Sequence, residues 1–451
     1  MPIATITDKR THLQPGQVHE VLSRYMLADG YDVVMDLRKS KGSWIFDAKK
    51  GRRLLDFFSN FASVPIGYNH PRMDNPEFRE RLADVALNKI ANSDIYTTQM
   101  AEFVDTFARL AVPPSHHQHM FFVEGGSLAI ENAIKAAFDW KVRKNFRKGL
   151  KQERGHQVMH LAEAFHGRTG YTLSITNTAD PRKTQYFPKF DWPRIPSPKL
   201  SFPVTEKVLA EVERVERDAI DLAKRFLSER KDDVAAFVME PIQGEGGDNH
   251  FRPEFFEAVR RLCDENEMVL IFDEVQTGVG ITGKMWAFEH YGIEPDIICF
   301  GKKTQVCGFA SNDRIFDIDD NVFRVSSRIN STWGGNLTDM VRSQRYFEII
   351  DEEKLVANAA SIGAELLAGL EQLAGEFPTL LSNVRGRGLM CAFDLPNGEV
   401  RDKLIQAMER NDLLVLSSGN RSIRFRPHLN LTAEEAAEGL KRTETSIRQV
   451  V

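Results

Sequence analysis

A change in hydrophobic pattern near residue 118 constrains the fold of this chain more than any other feature. From there on, apolar runs of four to six residues alternate with stretches of helical periodicity. Uninterrupted apolar runs are typical of parallel strands that helices cover on both faces. The pattern therefore predicts an α/β fold with a mostly parallel sheet. The predicted strands span 119–123, 158–162, 235–239, 269–272 and 297–300, and the clearest helices span 128–147 and 253–266.

The two ends of the chain have a different pattern. Residues 17–27 predict an amphipathic helix, and WIFDAKKGRRLLDFF predicts a hairpin that turns at Lys50-Gly51. After about residue 336, a long helix, two short strands at 388–393 and 422–425 and a final helix predict a smaller α+β domain.

A length of 451 residues exceeds one ordinary core and predicts several domains. We expect an N-terminal segment at 1–62 that contributes to the small domain, a large domain at 63–335 and a C-terminal small domain at 336–451. Within the large domain, the proline-rich residues 192–204 predict an ordered surface loop.

Composition argues against several classes of protein. The chain is 42% hydrophobic and 27% charged, which is typical of a soluble globular protein. Its net charge is −5, and its scattered Lys and Arg residues offer no basic stripe for nucleic acid. No run approaches the roughly 18 apolar residues of a membrane helix. The start, MPIATITDKR, lacks the apolar core of a signal peptide, so we expect a cytoplasmic protein without a membrane partner.

Cysteine and histidine do not indicate a metal site. The four cysteines, at positions 263, 299, 307 and 391, form no CxxC pair, and we expect reduced thiols in the core. The cluster His116-His117-His119 adjoins a Pro-Pro turn and predicts a solvated loop.

Polar motifs follow the predicted strands, where open α/β sheets bind their ligands. In FFVEGGSLAIENAIKAAF a strand ends and a helix begins at once. The backbone amides of Gly126 and Ser127 could cradle a phosphate at the helix N-terminus. A tight turn with Ser127 as an ordinary N-cap is the alternative.

An acid and a pair of lysines follow two further predicted strands. In LIFDEVQTG, Asp273 could keep a pyridinium nitrogen protonated, although paired acids after a strand also serve as metal ligands or helix caps. In DIICFGKKTQVCG, a buried Lys302 or Lys303 would have a lowered pKa and could attack an aldehyde carbon as the neutral amine. The residues alone do not separate these lysines from each other or from surface charges.

Other motifs could position a ring and a carboxylate. In AEAFHGRTGY, Phe165 could stack on a planar cofactor, Arg168 could hold a carboxylate, and His166 is expected to be structural or hydrogen-bonded. MEPIQGEGG and SIRFRPHL supply Glu245 and Arg424, which could meet across a cleft.

Together these motifs resemble the class III, or ω-amino, pyridoxal-phosphate aminotransferases, from about residue 17 to the end. Asp273 precedes Lys302 by 29 positions. This distance is similar to the spacing between the pyridinium aspartate and the Schiff-base lysine of the family, so the resemblance favours Lys302 over Lys303. The resemblance implies the type I fold of pyridoxal-phosphate-dependent transferases and pyridoxal 5'-phosphate as cofactor.

The resemblance also implies residue roles. Gly126 and Ser127 would hold the phosphate, Phe165 would stack on the ring, and Gln276 would contact the ring hydroxyl. Thr332, in STWGGN, would reach the phosphate of a neighbouring subunit, which implies a homodimer with shared active sites.

For the substrate, the stretches FPKFDWPRI and GKKTQVCG are similar to the branch of the family that acts on L-lysine. The resemblance implies transfer of the 6-amino group to 2-oxoglutarate. Arg168 would grip the distant carboxylate, while Glu245 would neutralise Arg424 until 2-oxoglutarate displaces it. Phe61 and Asn330 would line the lysine chain.

Three alternatives remain at this point. The chain could use ornithine, 4-aminobutyrate or another ω-amine, or it could be an inactive scaffold. It could also be a P-loop protein, because residues 278–284 satisfy GxxxxGK, but Met285 stands where a hydroxyl must hold magnesium.

Overall fold

The N-terminal part forms a short helix and a hairpin. The computed structural model describes residues 13–450. Helix α1, Val18–Ser23, is shorter than the predicted 17–27. It buries no residue and has no side-chain cap, so nothing stabilises further turns. The predicted hairpin is confirmed, since β1, Trp44–Asp47, pairs antiparallel with β2, Arg52–Asp56.

A seven-stranded sheet forms the centre of the molecule, in the order β3-β9-β8-β7-β6-β4-β5. Six strands run in one direction and β9 runs against them, so the predicted mostly parallel sheet is confirmed. The strands are β3, Met120–Val123; β4, Gln157–Leu161; β5, Arg194–Ile195; β6, Val234–Met239; β7, Val269–Asp273; β8, Ile297–Phe300; and β9, Cys307–Ser311.

Helices cover both faces of this sheet, as its apolar runs predicted. In β7, Leu270 and Phe272 pack into one hydrophobic cluster, whereas Val269 and Ile271 pack into the cluster on the opposite face. Successive residues of a strand point to opposite faces, so a strand buried on both must be apolar throughout. The helices of this part are α2, Pro76–Ala86; α3, Thr98–Leu110; α4, Gly126–Arg147; α5, Gly170–Ile175; α6, Glu206–Glu229; and α7, Pro253–Glu265.

The C-terminal part carries a four-stranded sheet and joins the N-terminal hairpin. Strand β12 pairs in parallel with β2, which connects the two ends of the chain. The predicted boundaries at 62/63 and 335/336 stay a prediction. The elements are α8, Leu337–Glu352; α9, Leu355–Glu376; β10, Ser382–Arg387; β11, Met390–Asp394; α10, Gly398–Arg410; β12, Leu413–Leu414; β13, Leu416–Ser418; β14, Ser422–Phe425; and α11, Ala433–Arg448.

Two sequence predictions are wrong in detail. Residues 192–204 were expected to be loop throughout, but β5 lies within them. Its two residues pair with β4 at the sheet edge, where flanking prolines are tolerated. His116 and His119 were expected to be solvated, yet both are buried, and the ring of His119 stacks on Phe316 at a centroid distance of 3.6 Å.

Three structural findings concern cysteine, metal and membrane. All four cysteines are buried and free, as predicted. Between residues 13 and 450, no group of three or more His, Cys, Asp or Glu side chains could hold a metal ion. No helix in that range is long and apolar enough to cross a bilayer.

Candidate active site

The carboxyl ends of the central strands surround a cavity of about 250 Å³. Strands β4, β6, β7 and β8 each end beside it, as expected for an open α/β sheet. Seven of the predicted site residues line it: Gly126, Ser127, Phe165, Glu245, Asp273, Gln276 and Lys302.

The N-terminus of helix α4 faces this cavity without a side-chain cap. Gly125 is the N-cap, with φ of 100°, so the alternative of Ser127 as the cap is wrong. The Ser127 hydroxyl lies instead 2.7 Å from the hydroxyls of both Thr169 and Thr172. A Cβ on Gly167 would come 2.2 Å from Ser127 Oγ, so only glycine fits there. The free amides of the first helical turn are suited to an anion such as phosphate.

Asp273 ends β7 and is held by two donors. Its Oδ2 lies 2.8 Å from Nδ1 of the buried His166, which confirms a hydrogen-bonding role for this histidine. Its Oδ1 accepts from the backbone N–H of Val275 at 3.1 Å. The neighbouring Glu274 faces away from the cavity and accepts hydrogen bonds from Thr277 and Phe288. Asp273 is therefore the acid that the strand presents to the cavity.

The structure separates the two adjacent lysines. Lys302 lines the cavity, and within the described chain its Nζ has no hydrogen-bond or ion-pair partner. Lys303 is fully buried, and its Nζ donates to the carbonyl of Gln276 at 2.7 Å and to that of Ala62 at 3.4 Å. Burial lowers the pKa of Lys302, and the nearby Asp273 opposes that shift. Lys302 is thus the amine available for chemistry.

Two arginines fix the orientation of the Gln276 amide. Its Oε1 accepts from Arg424 Nη1 at 2.9 Å and from Arg426 Nη2 at 3.0 Å. Arginine carries only donors, so the amide oxygen must face the arginines. The amide N–H groups then face the cavity, where they can donate to an oxygen on a bound ring.

Glu240 was not identified from the sequence, although it follows β6 at the same edge of the sheet. One carboxylate oxygen accepts from the N–H of Phe165 at 2.8 Å and the other from that of Gly244 at 2.9 Å. Burial raises its pKa to about 7, while His166 acts in the opposite direction. Glu240 therefore links the backbone of Phe165 to that of Gly244, which directly precedes Glu245.

A strained turn at Ser59–Ala62 was also missed. All four residues have positive φ, between 39° and 63°, a conformation that costs roughly 1–2 kcal/mol for each residue with a side chain. Asp56 Oδ1 accepts from the backbone N–H groups of Phe58 and Ser59, which anchors its start. Lys303 binds the carbonyl of Ala62 at its end. Nothing in the local sequence signals this turn, because its anchors are distant.

Five predicted site residues lie outside the lining of the cavity. Arg168, Asn330 and Thr332 are exposed, and so is Phe61, with 59% of its surface accessible. Arg424 is buried and donates a hydrogen bond to Gln276, which itself lines the cavity. The predicted pairing of Glu245 with Arg424 is not formed, because Glu245 pairs with Lys183 at 2.6 Å.

These features fit one kind of ligand, a flat pyridine ring with a phosphate and an aldehyde. The uncapped helix and the glycine at position 167 suit the phosphate. Asp273 suits a protonated ring nitrogen, Gln276 suits a ring oxygen, and Lys302 suits the aldehyde carbon. The residues present therefore match pyridoxal 5'-phosphate.

Comparison with known proteins decides the family. The aminotransferase class-III family model matches residues 26–447. The chain is a class III aminotransferase. Enzymes of this family depend on pyridoxal phosphate, in agreement with the cavity. The P-loop alternative is wrong, since residues 278–284 lead into a short 3-10 turn, Ala287–His290, and not into a helix.

Relatives of this aminotransferase include L-lysine-epsilon aminotransferases. It is 52% identical to that of Mycobacterium tuberculosis over 422 residues, 93% of each chain, and 48% identical to that of Amycolatopsis lactamdurans over 434 residues, 95% of each. The mitochondrial 4-aminobutyrate aminotransferase of Homo sapiens is 33% identical, over 89% of this chain and 82% of its own.

Solved structures agree with the fold. Lysine aminotransferase from M. tuberculosis in the internal aldimine form superposes with a TM-score of 0.95 at 50% identity, covering 97% of this chain and 100% of its own. An omega transaminase from Pseudomonas jessenii, at 20% identity, has a TM-score of 0.83 over 96% of this chain and 98% of its own, and shares the fold.

Proposed function

We propose that this aminotransferase moves the 6-amino group of L-lysine to 2-oxoglutarate, giving 2-aminoadipate 6-semialdehyde and L-glutamate. The observation that carries the proposal is the difference in identity between relatives, 52% for a lysine enzyme against 33% for a 4-aminobutyrate enzyme. An ornithine or 4-aminobutyrate specificity is the alternative.

Lys302 is the catalytic residue of this proposal. When bound, pyridoxal phosphate supplies the carbon to which the amino group is attached and a ring that withdraws electrons. The Lys302 amine holds the cofactor between turnovers. Once released by the substrate amine, it would remove a proton from C6 of lysine and, as a general acid, deliver that proton to the cofactor carbon that carries the amino nitrogen. Its lowered pKa favours the neutral form that this first proton transfer needs.

The other cavity residues orient and stabilise the cofactor. Asp273, held by His166, keeps a positive charge on the ring nitrogen, and the Gln276 amide donates to the ring oxygen. Phe165 covers one face of the ring, and the amides of Gly126 and Ser127 hold the phosphate.

Charge selects the substrates in this proposal. L-lysine presents an amine to the cofactor, so its α-carboxylate lies far away, on Arg168, with Phe61 and Asn330 along its chain. Glu245 neutralises Arg424 in this state. When 2-oxoglutarate binds, its distant carboxylate pairs with Arg168 and its α-carboxylate pairs with Arg424. One site thus handles two substrates of different charge.

We also propose a homodimer in which Thr332 reaches the phosphate site of the neighbouring subunit. Large apolar side chains that are exposed on the described chain are available for such an interface. They are Ile95, Tyr96, Tyr186, Phe187, Phe190 and Trp333. We expect the dimer to reside in the cytoplasm.

A substrate panel tests the proposal. Purified, cofactor-loaded enzyme is mixed with 2-oxoglutarate and with L-lysine, L-ornithine or 4-aminobutyrate, and glutamate formation is measured together with trapping of the cyclised semialdehyde. L-lysine should give the highest kcat/KM. A higher kcat/KM for ornithine or 4-aminobutyrate would replace the lysine assignment with the alternative.

A further inference from the structure

The carboxylate of Glu245 is bound on one side only. Its Oε1 accepts from Lys183 Nζ and from Thr178 Oγ1, each at 2.6 Å. Its Oε2 is buried without a hydrogen-bond partner. A buried carboxylate oxygen without a donor is costly, which weakens the hold of this arrangement on the side chain.

Nearby, Arg424 forms no direct ion pair with a carboxylate of the described chain, and Asp248, Glu245 and Glu240 act on its charge only at longer range. Within residues 13–450, no carboxylate oxygen lies within 4.0 Å of its guanidinium. Its side chain is bound only by neutral oxygens, those of Gln276 at 2.9 Å and of the Ser417 carbonyl at 3.1 Å. Burial lowers its pKa to about 10, a value at which it stays charged near neutral pH. Arg424 therefore keeps its positive charge beside the cavity residue Gln276 with no carboxylate bound to it, and Glu245 is held elsewhere.

We propose that Lys183 is a specificity-determining residue that holds Glu245 away from Arg424 and so favours binding of the dicarboxylic acceptor. The inference rests on the proposed roles of Glu245 and Arg424. With Glu245 on Lys183, the α-carboxylate of the acceptor meets an unpaired arginine. With Glu245 on Arg424, the site is neutral and accepts the uncharged chain of an amino donor.

The local structure directs Lys183, and not its neighbour, toward Glu245. Residues Pro181–Lys183 form a 3-10 turn that begins at Asp180. Asp180 accepts from the N–H of Arg182 and pairs with its guanidinium, which leaves that side chain largely in solvent. Lys183 alone of these residues reaches the cavity carboxylate.

Lys183→Met removes this charge and keeps the length of the side chain. Glu245 should then move to Arg424, so the acceptor has to displace it. We expect the KM for 2-oxoglutarate and the inhibition constant of glutarate, an unreactive dicarboxylate, to rise about tenfold, the effect of a partly desolvated ion pair. The KM for L-lysine and kcat should change less than twofold. Lys183→Arg should restore acceptor binding.

Lys189→Met is the matched control, since Lys189 lies in the same segment and binds only the carbonyl of Thr184. In a Glu245→Gln background, Lys183→Met should have no further effect, because its action passes through Glu245. Equal changes in both KM values, or a full effect in that background, would overturn the inference.

The wild-type reactions distinguish this outcome from failure of the proposed function. If the wild type uses another amine in place of L-lysine, the KM for that amine is compared with the KM for 2-oxoglutarate. The Lys183 variants then still test whether Lys183 favours acceptor binding. If the wild type neither accepts 2-oxoglutarate nor binds glutarate, both proposals are overturned.

Discussion

Replacing Lys303 with methionine removes the contact that anchors the segment of Lys302 to the strained turn Ser59–Ala62. Lys303 Nζ donates to the carbonyls of Gln276 and Ala62, and methionine keeps the side-chain length but offers no donor. Because Lys302 remains on the cavity, we expect the chemistry to survive while stability falls.

The expected size of this effect follows from the bonds lost. Burial lowers the pKa of Lys303 well below its usual range, so we count the two contacts as ordinary hydrogen bonds. At about 0.5–1.5 kcal/mol each, their loss reduces the free energy of unfolding by about 1–3 kcal/mol at high pH, where the amine is neutral in both the folded and the unfolded chain. Asp56 still anchors the start of the turn in the variant, so any relaxation of its strained backbone is limited and would offset only part of this loss.

The pH dependence gives a sharper assay. Unfolding exposes Lys303 and restores its usual pKa, so the unfolded chain takes up a proton between the lowered value and 10.5. The stability of the wild type therefore rises with pH across this window, and the variant lacks that rise. Denaturant unfolding at neutral pH and at pH 9 should show a larger deficit at pH 9. A deficit that shrinks with rising pH, or a Lys303→Met variant without aminotransferase activity, would refute the reasoning.

Two further substitutions probe the cofactor site. Glu240→Gln places an amide N–H against the N–H of Phe165 or of Gly244, so one hydrogen bond is lost. At about 0.5–1.5 kcal/mol for that bond, cofactor binding should weaken by about two- to tenfold in an absorbance titration. Unchanged affinity would contradict the positioning role of Glu240. Gly167→Ala puts a Cβ 2.2 Å from Ser127 Oγ at a φ of 118°. We therefore expect the free energy of unfolding to fall by roughly 2–4 kcal/mol and cofactor binding to weaken. Wild-type values of both would contradict a phosphate site formed by Ser127 and Gly167.

The sequence was sufficient to predict the core strands and the polar residues that directly follow them. The apolar runs located the five predicted core strands within one residue. The rule that ligands bind at their carboxyl ends pointed to Asp273 and to the pair Lys302-Lys303, and the spacing typical of the family then favoured Lys302. Strand β9 was missed because Gly308 weakens its pattern, although glycine is required there, since a Cβ would come 2.1 Å from the carbonyl of Phe121.

Features that depend on contacts between distant residues could not be predicted. Only the folded chain shows that Lys303 turns away from the cavity, that two arginines orient Gln276, or that Lys183 and not Arg424 holds Glu245. Arg168 and Thr332 are exposed on the single chain. Their roles stay predictions that the proposed dimer would test.

The most direct test of the central claim follows the nitrogen itself. Cofactor-loaded enzyme is incubated with 2-oxoglutarate and with L-lysine that carries ¹⁵N either on the 6-amino group or on the α-amino group, and the glutamate formed is analysed by mass spectrometry. Label from the 6-position should appear in glutamate, and label from the α-position should not. Transfer from the α-position, or unlabelled glutamate in both reactions, would contradict the assignment of this enzyme as a lysine 6-aminotransferase.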